Sequence, residues 1–387
     1  MSQMNKIKVM SVFGTRPEAI KMAPLVLELR RRPEIESICC LTAQHREMLD
    51  SVMNVFNISA QYDLDIMEKN QTLYTITSKV LTGLGDLLAQ AAPDLVLVHG
   101  DTSTTFSGAL AAFYAKIKVG HVEAGLRSGD KFSPYPEEIN RKLTGQIADL
   151  HFAPTAANAQ NLIRENIEDG VFITGNTVID AMRYTVTGEG ALAVPGLASL
   201  QFANKRIITM TCHRRENYGD PMENIMTATR DLVRAFDDVE LVYPVHLSPI
   251  VQETARRILG DEPRVHLIPP LDTVEMHRLM AASYLVMTDS GGIQEEAPAL
   301  GKPVLVLRRE TERPEAITAG TARLAGVERE TIFDMAHELL TDAAAYDKMA
   351  KAVNPYGDGK ASRRIADAIL YHFGASAHEP EPFFPRN

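Results

Sequence analysis

Short apolar runs alternate with helix-length segments along most of this chain, and that alternation constrains the fold more than any single residue does. The runs at 7–13, 37–41, 95–98, 119–122 and 171–174 read as strands. Helical stretches such as 17–32, 72–90 and 103–115 lie between them. A strand apolar on nearly every residue must be covered on both faces, which places it in a parallel sheet with helices above and below. The pattern pauses over 185–204, where Gly188, Gly190, Pro195 and Gly196 leave little periodicity. Strands resume at 207–211, 241–245, 265–268, 284–288 and 304–307. The expectation is two doubly wound, Rossmann-like α/β domains, the first over 1–182 and the second over 183–360. At 387 residues the chain is too long for one typical core and suits two. The end of the chain, rich in proline and charge, is expected to be a flexible tail over 376–387.

Composition removes several functions. A net charge of −10 argues against a general nucleic-acid binder, whose footprint is basic. No uninterrupted apolar run reaches the ~18 residues that span a bilayer, so no membrane partner is expected. The stretch 1–8 lacks a signal-peptide core. The three cysteines, Cys39, Cys40 and Cys212, form neither a disulfide framework nor a metal spacing, which fits a reducing cytoplasm. No metal and no cofactor is expected.

Ligands of doubly wound sheets bind beyond the carboxyl ends of the strands, and the notable polar residues fall there. The most informative segment is Thr288-Asp289-Ser290-Gly291-Gly292-Ile293-Gln294-Glu295-Glu296. A strand, a Ser-Gly-Gly turn and a helix start make an anion site, because glycines admit close approach and the first N–H groups of the helix face a phosphate. Glu296 in the opening turns can accept bonds from ribose hydroxyls. The plainer reading is a turn with a helix cap. Gly14-Thr15-Arg16-Pro17 follows the first strand, setting Arg16 to reach a phosphate with Lys21 further along the helix; the plainer reading is a surface helix start with two solvated cations. His99-Gly100-Asp101 and His121-Val122-Glu123 end neighbouring strands, and Pro136-Glu137-Glu138 opens a helix. Favourable placement at a helix N-terminus accounts for at least one of Glu137 and Glu138. Yet Asp101, Glu123 and Glu137 together repel one another, and such clusters push pKa values apart, as acid/base chemistry needs. In the second half, His213 directly follows a strand and is the best single candidate for a group near a phosphate. His246 also ends a strand, where a histidine is as often structural. Arg313 adds a cation after the strand at 304–307.

There is no G-x-G-x-x-G after the first strand, no Walker A and no G-x-S-x-G elbow, which disfavours nicotinamide, ATP and serine-hydrolase chemistry. The residues describe a diphosphate-bearing ligand held between two domains, carboxylates on one wall and a nucleotide on the other.

At this point the chain resembles the non-hydrolysing UDP-N-acetylglucosamine 2-epimerases, which have the glycosyltransferase-B-like architecture with the active site in the cleft between domains. The likeness runs from about residue 7 to about residue 370. It rests on Phe13-Gly14-Thr15-Arg16-Pro17-Glu18, Gln44-His45-Arg46-Glu47-Met48, His99-Gly100-Asp101, His121-Val122-Glu123-Ala124-Gly125-Leu126-Arg127, Pro136-Glu137-Glu138-Ile139-Asn140-Arg141, His213-Arg214-Arg215-Glu216-Asn217, the Ser-Gly-Gly segment and Asn354-Pro355-Tyr356-Gly357-Asp358-Gly359. The resemblance implies interconversion of UDP-GlcNAc and UDP-ManNAc by expulsion of UDP, formation of 2-acetamidoglucal and re-addition, supplying surface polysaccharide. It implies Asp101, Glu123 and Glu137 as the acid/base set. By the same resemblance, Arg16, Lys21 and His213 are expected to stabilise the leaving diphosphate, Ser290, Gly291 and Gly292 to bind it, Glu296 to take the ribose, and Arg313 to join the same site. It further implies a homodimer and a helix at about 361–375 returning to the first domain.

Two departures stand out. Thr273 and Met276 replace aromatics that the family commonly sets against the uracil. Some members bind a second UDP-GlcNAc as activator; Gln44, Gln71, Arg214 and His246 match that pattern, whereas Glu47 and Asn70 replace Gln and Arg. A glycosyltransferase of the same architecture, a hydrolysing 2-epimerase and a non-enzymatic nucleotide-sugar sensor remain the alternatives.

Overall fold

The computed structural model describes residues 6–43, 46–68, 71–186 and 204–385, and of 46–48 the backbone alone. Gln44, Asn70, the Glu47 side chain and the glycines and proline expected to interrupt the pattern lie outside the described residues. The chain divides into two compact units, Met1–Tyr184 with Tyr356–Phe384, and Thr185–Pro355 with Pro385–Asn387.

The first unit runs β1 (Ile7–Phe13), α1 (Arg16–Arg30), β2 (Ile35–Leu41), α2 (Arg46–Val55), β3 (Tyr62–Asp63), α3 (Leu73–Ala91), β4 (Leu95–His99), α4 (Ser103–Tyr114), β5 (Lys118–Val122), α5 (Glu137–Ile147), β6 (Leu150–Ala153), α6 (Ala156–Arg164), β7 (Val171–Ile173) and α7 (Thr177–Thr185). The second runs β8 (Arg206–Thr211), α8 (Asp220–Ala235), β9 (Val239–Pro244), α9 (Pro249–Leu259), β10 (Val265–Ile268), α10 (Thr273–Ala282), β11 (Leu285–Thr288), α11 (Gly291–Ala299), β12 (Val304–Val306), α12 (Pro314–Ala319), β13 (Ala322–Leu324), α13 (Arg329–Thr341) and α14 (Ala343–Ala350). The last helix, α15 (Ala361–His372), belongs to the first unit.

Every pairing within the two sheets is parallel, in the orders β3-β2-β1-β4-β5-β6-β7 and β10-β9-β8-β11-β12-β13. The expected doubly wound α/β architecture is therefore present. Each expected strand is found with its ends moved by at most two residues. β3, β6 and β13 were not expected; β6 is the four-residue stretch Leu-His-Phe-Ala, whose polar His151 breaks an apolar run.

Alternation along the strands explains why both faces are covered. Val9 and Phe13 of β1, with Leu95 and Leu97 of β4, pack into one cluster; Met10 and Val12, with Val96 and Val98, pack into another. Successive side chains point to opposite faces, so one continuous apolar strand feeds two cores. Ile365 and Ile369 of α15 complete the first cluster beside Leu25 and Leu29 of α1. Beyond α15, Phe383 is buried, its N–H donates to the Ile173 carbonyl at 2.8 Å, and the Arg364 guanidinium lies over its ring.

Gly125 fixes the loop after β5. Its φ is +90°, and a Cβ there would lie 2.2 Å from the Asn158 carbonyl oxygen in α6. Gly125→Ala must strain a left-handed residue and displace a helix backbone at once. We expect a loss of unfolding free energy on the order of 3 kcal/mol, measured by urea unfolding; a change below about 0.5 kcal/mol would show that the loop relocates freely.

Candidate functional site

Strand order dictates where ligand groups collect. In the first sheet the order reverses between β1 and β4, and in the second between β8 and β11. Loops on either side of such a point diverge and leave a crevice at the carboxyl ends of the strands. Arg16, Asp101 and Glu123 follow β1, β4 and β5; His213 and Ser290 follow β8 and β11.

In the first unit Glu123 is the hub. It sits in the left-handed region at φ +64°, a conformation that costs a residue with a Cβ on the order of 1–2 kcal/mol. Its Oε1 pairs with the Lys21 ammonium and accepts from Asn176 Nδ2 at 2.9 Å. Its Oε2 lies 3.6 Å from His99 Nε2. Burial alone would raise the Glu123 carboxyl, but Lys21, His99 and the Asn176 amide together hold it well below the carboxylate range. Burial pushes the His99 imidazole down to about 4, so it is neutral at physiological pH. Gly100, after β4, takes φ +69°, the left-handed region that favours glycine, and a Cβ there would sit in ordinary contact 3.4 Å from Glu123 Oε2.

Asp101 differs. Its Oδ2 accepts from Arg141 Nη2 at 2.6 Å, and its backbone carbonyl accepts from Asn140 Nδ2 at 2.9 Å. Burial raises its carboxyl above the ordinary range despite the opposing pull of Arg141, with Glu123 and Glu137 adding to the rise. The two glutamates that open α5 separate by role. Glu138 is fully buried and accepts from the N–H groups of Ser128 at 3.0 Å and Gly129 at 3.2 Å, so it braces the preceding loop. Glu137 keeps Oε2 buried with no hydrogen-bond partner. An unpartnered carboxylate oxygen at a helix start is costly unless a ligand group completes it.

In the second unit Ser290 caps α11 without a side-chain hydrogen bond, leaving the leading N–H groups of the helix for another acceptor. A Cβ on Gly291 would meet Glu312 Oε1 at 3.1 Å, and one on Gly292 would meet Glu296 Oε1 at 3.4 Å. Glu296 Oε2 lies 3.4 Å from His277 Nε2. Arg313 pairs with Glu295, and Arg214 Nη2 reaches Glu312 Oε1 at 3.1 Å. Burial would raise Glu312, but a hydrogen bond from its own backbone N–H and the positive charges of Arg308, Arg214 and Arg313 hold it below its usual value. His213 is oriented by Asp289, a fully buried residue. Asp289 Oδ2 accepts from the N–H groups of His213 at 2.7 Å and Arg214 at 2.8 Å, and Oδ1 lies 3.2 Å from His213 Nδ1. His246 stacks on His213 with ring centroids 5.5 Å apart.

The structure thus gathers Lys21, Asp101, Glu123 and Glu137 in the first unit, with Arg16 half-buried at the start of α1. It gathers His213, Arg214, His246, Ser290, Gly291, Gly292, Glu296 and Arg313 in the second. Gln71, the other described member of the expected activator set in the first unit, bonds to the Ile66 carbonyl. Thr273 opens α10 and Met276 lies one turn on. Sequence reasoning missed Asn176 and His277, and gave no role to Arg141 and Asp289 although both lie in the quoted motifs. Asn176 follows β7 and could have been found by the same strand-end rule as the others.

A family profile described as UDP-N-acetylglucosamine 2-epimerase matches residues 27–370. The chain is 56% identical over 381 residues to the UDP-N-acetylglucosamine 2-epimerase of Bacillus subtilis, covering 98% of this chain and 99% of that one. The crystal structure of the Neisseria meningitidis UDP-GlcNAc 2-epimerase bound to UDP-GlcNAc is 48% identical with TM-score 0.84, covering 94% of this chain and all of that one. The Methanocaldococcus jannaschii enzyme in complex with UDP-GlcNAc and UDP is 32% identical with TM-score 0.75, again over 94% and 100% of the two chains. The fold defines a protein of two doubly wound, parallel α/β units. The chain belongs to the UDP-N-acetylglucosamine 2-epimerase family. Among the described residues no helix is long and apolar enough to cross a membrane.

Proposed function

We propose that this protein interconverts UDP-GlcNAc and UDP-ManNAc without net hydrolysis. The observation that carries the reading is the carboxylate set of the first unit, with Asp101 raised and Glu123 lowered by their surroundings. Two carboxyls pushed apart in this way divide proton-accepting and proton-donating work. The C2 hydrogen leaves as a proton while the C1–O bond breaks, its electron pair passing to the β-phosphate oxygen of UDP. The resulting 2-acetamidoglucal takes back UDP at C1 and a proton at C2 on the other face. Asp101, Glu123 and Glu137 handle the protons. Arg16, Lys21 and His213 stabilise charge on the departing diphosphate, an electrostatic role. Ser290, Gly291 and Gly292 hold that diphosphate, with Arg313 nearby, and Glu296 holds the ribose. No step needs a metal or a redox cofactor. A homodimer, activation by a second UDP-GlcNAc, a cytoplasmic location and supply of ManNAc precursors for surface polysaccharide rest on the family resemblance.

The test is NMR of UDP-GlcNAc incubated with the protein in D2O without acceptor. UDP-ManNAc carrying deuterium at C2 is expected, because a carboxylic acid exchanges its proton with water. Free ManNAc with UDP would instead mark a hydrolysing enzyme, and an unchanged sugar a transferase or sensor. Product that retains protium at C2 sinks the elimination route.

A further inference from the structure

We propose that Glu18 is a positioning residue whose single buried carboxylate clamps two loops together and so fixes the spacing between Arg16 and Asp101. The inference rests on the function proposed above. Glu18 is 1% exposed and occupies the third position of α1. Its Oε2 accepts from the N–H groups of Gly14 at 3.0 Å and Thr15 at 2.8 Å, and from the Thr15 hydroxyl at 2.8 Å. That much is a capping box, which serves its own helix. The other oxygen leaves the helix. Glu18 Oε1 accepts from the Thr102 hydroxyl at 2.7 Å, with the Thr105 hydroxyl 3.3 Å away. Thr102 is the N-cap of α4, and the Thr105 hydroxyl also reaches the His99 carbonyl. One oxygen therefore grips the loop after β1, and the other grips the loop after β4, across the point where the strand order reverses.

The neighbours of this clamp are the residues that matter. Arg16 is the next residue after Thr15, and Asp101 is the residue before Thr102. The turn has little freedom to move the other way, because a Cβ on Gly14 would fall 1.8 Å from Thr42 Oγ1. A negative charge is tolerated here because it lies at the N-terminal ends of α1 and α4, where helix dipoles favour an anion. The Gly14 and Thr15 N–H groups and the Thr15 and Thr102 hydroxyls all donate to Glu18, so a carboxylate satisfies these four. An amide of the same shape would turn its own N–H groups against one set.

Glu18→Gln in the full chain is the test, read by amide hydrogen exchange and by steady-state kinetics. Exchange should quicken by about tenfold or more in both 13–16 and 99–105, since one lost clamp frees both loops. Turnover of UDP-GlcNAc should fall about tenfold or more with a smaller change in KM, as expected when reacting groups are misplaced while the substrate is still held. Added to Arg16→Ala, Glu18→Gln should cost less than about twofold more, because the guanidinium it positions is gone. Loosening confined to 13–16, turnover within twofold of wild type, or effects that multiply would each overturn the proposal. If Glu18→Gln does not fold, Thr102→Val breaks the α4 side of the clamp together with the α4 N-cap and leaves the α1 capping box; unchanged turnover in that variant overturns the proposal equally. A wild-type protein that forms no UDP-ManNAc rejects the functional reading instead, and the exchange arm still decides the clamp.

Discussion

Asp101→Asn, Glu123→Gln and Glu137→Gln should each lower turnover of UDP-GlcNAc by about 10²-fold or more, with UDP affinity changed far less. Each substitution keeps the shape of the side chain and removes its ability to carry a proton. Glu123→Gln is the sharpest case. The left-handed backbone at that position and the 2.9 Å approach of Asn176 both persist in outline, but the Lys21 ammonium loses its anionic partner. Asp101→Asn similarly leaves Arg141, 2.6 Å away, facing a neutral amide. Glu137 has an oxygen with nothing to bond, so Glu137→Gln should cost little stability and its loss of rate should be almost wholly chemical. UDP affinity is the control, because the Ser290–Gly292 turn lies in the other unit. Near-normal turnover in any one variant removes that residue from the acid/base set.

The fold was legible because its strands are buried on both sides. Val9, Met10, Val12 and Phe13 are all fully buried, with Ser11 the one polar residue among them, as a strand covered on both faces of a parallel sheet requires. What escaped was short. β3 has two residues and β13 has three, too few for any periodicity. β6 is held in the sheet by its neighbours β5 and β7 rather than by its own sequence. The placement of the candidate residues at strand ends was legible for a topological reason, since the carboxyl ends of parallel strands share one edge. The supporting shell was not. Nothing in the order of residues says that Asp289 bonds the His213 backbone, 76 positions away, or that Asn176 completes Glu123. Such contacts depend on which loops the sheet order makes adjacent. The pair Glu137 and Glu138 shows the same limit at short range: both open α5, yet only Glu138 is consumed by the loop at Ser128 and Gly129.

Acid should destabilise the first unit well before its carboxylates titrate in the unfolded chain. His99, His121 and His151 lie on β4, β5 and β6, are nearly or fully buried, and each retains a ring nitrogen with no hydrogen-bond partner. His121 faces the Gly100 carbonyl at 2.7 Å, with His151, His99 and Arg127 near it. His151 faces the Ala148 carbonyl, Asp149 and Arg127; His99 faces Glu123 and Lys21. Burial lowers all three imidazoles, His99 and His151 to about 4 and His121 to about 3. An unfolded histidine titrates near ~6.5. Above that pH neither state binds the proton, and the full stability is present. Below it the unfolded chain takes up three protons that the folded chain refuses, so stability falls as pH falls. The slope is roughly 1.4 kcal/mol per pH unit for each histidine, and the window runs from ~6.5 down to the folded values. Asp101 and Asp180, both raised by burial, work in the opposite sense, gaining stability as they protonate. Glu123 adds to the loss only lower down, as pH falls below the ordinary carboxylate value. The chain has no tryptophan, so amide exchange in β4 to β6 is the measurement, taken between pH 7.5 and 4.5. His151→Gln should make the decline shallower by roughly 1.4 kcal/mol per pH unit, whatever it does to stability at pH 7.5. A variant whose decline runs parallel to that of the wild type shows that His151 is already charged in the folded protein.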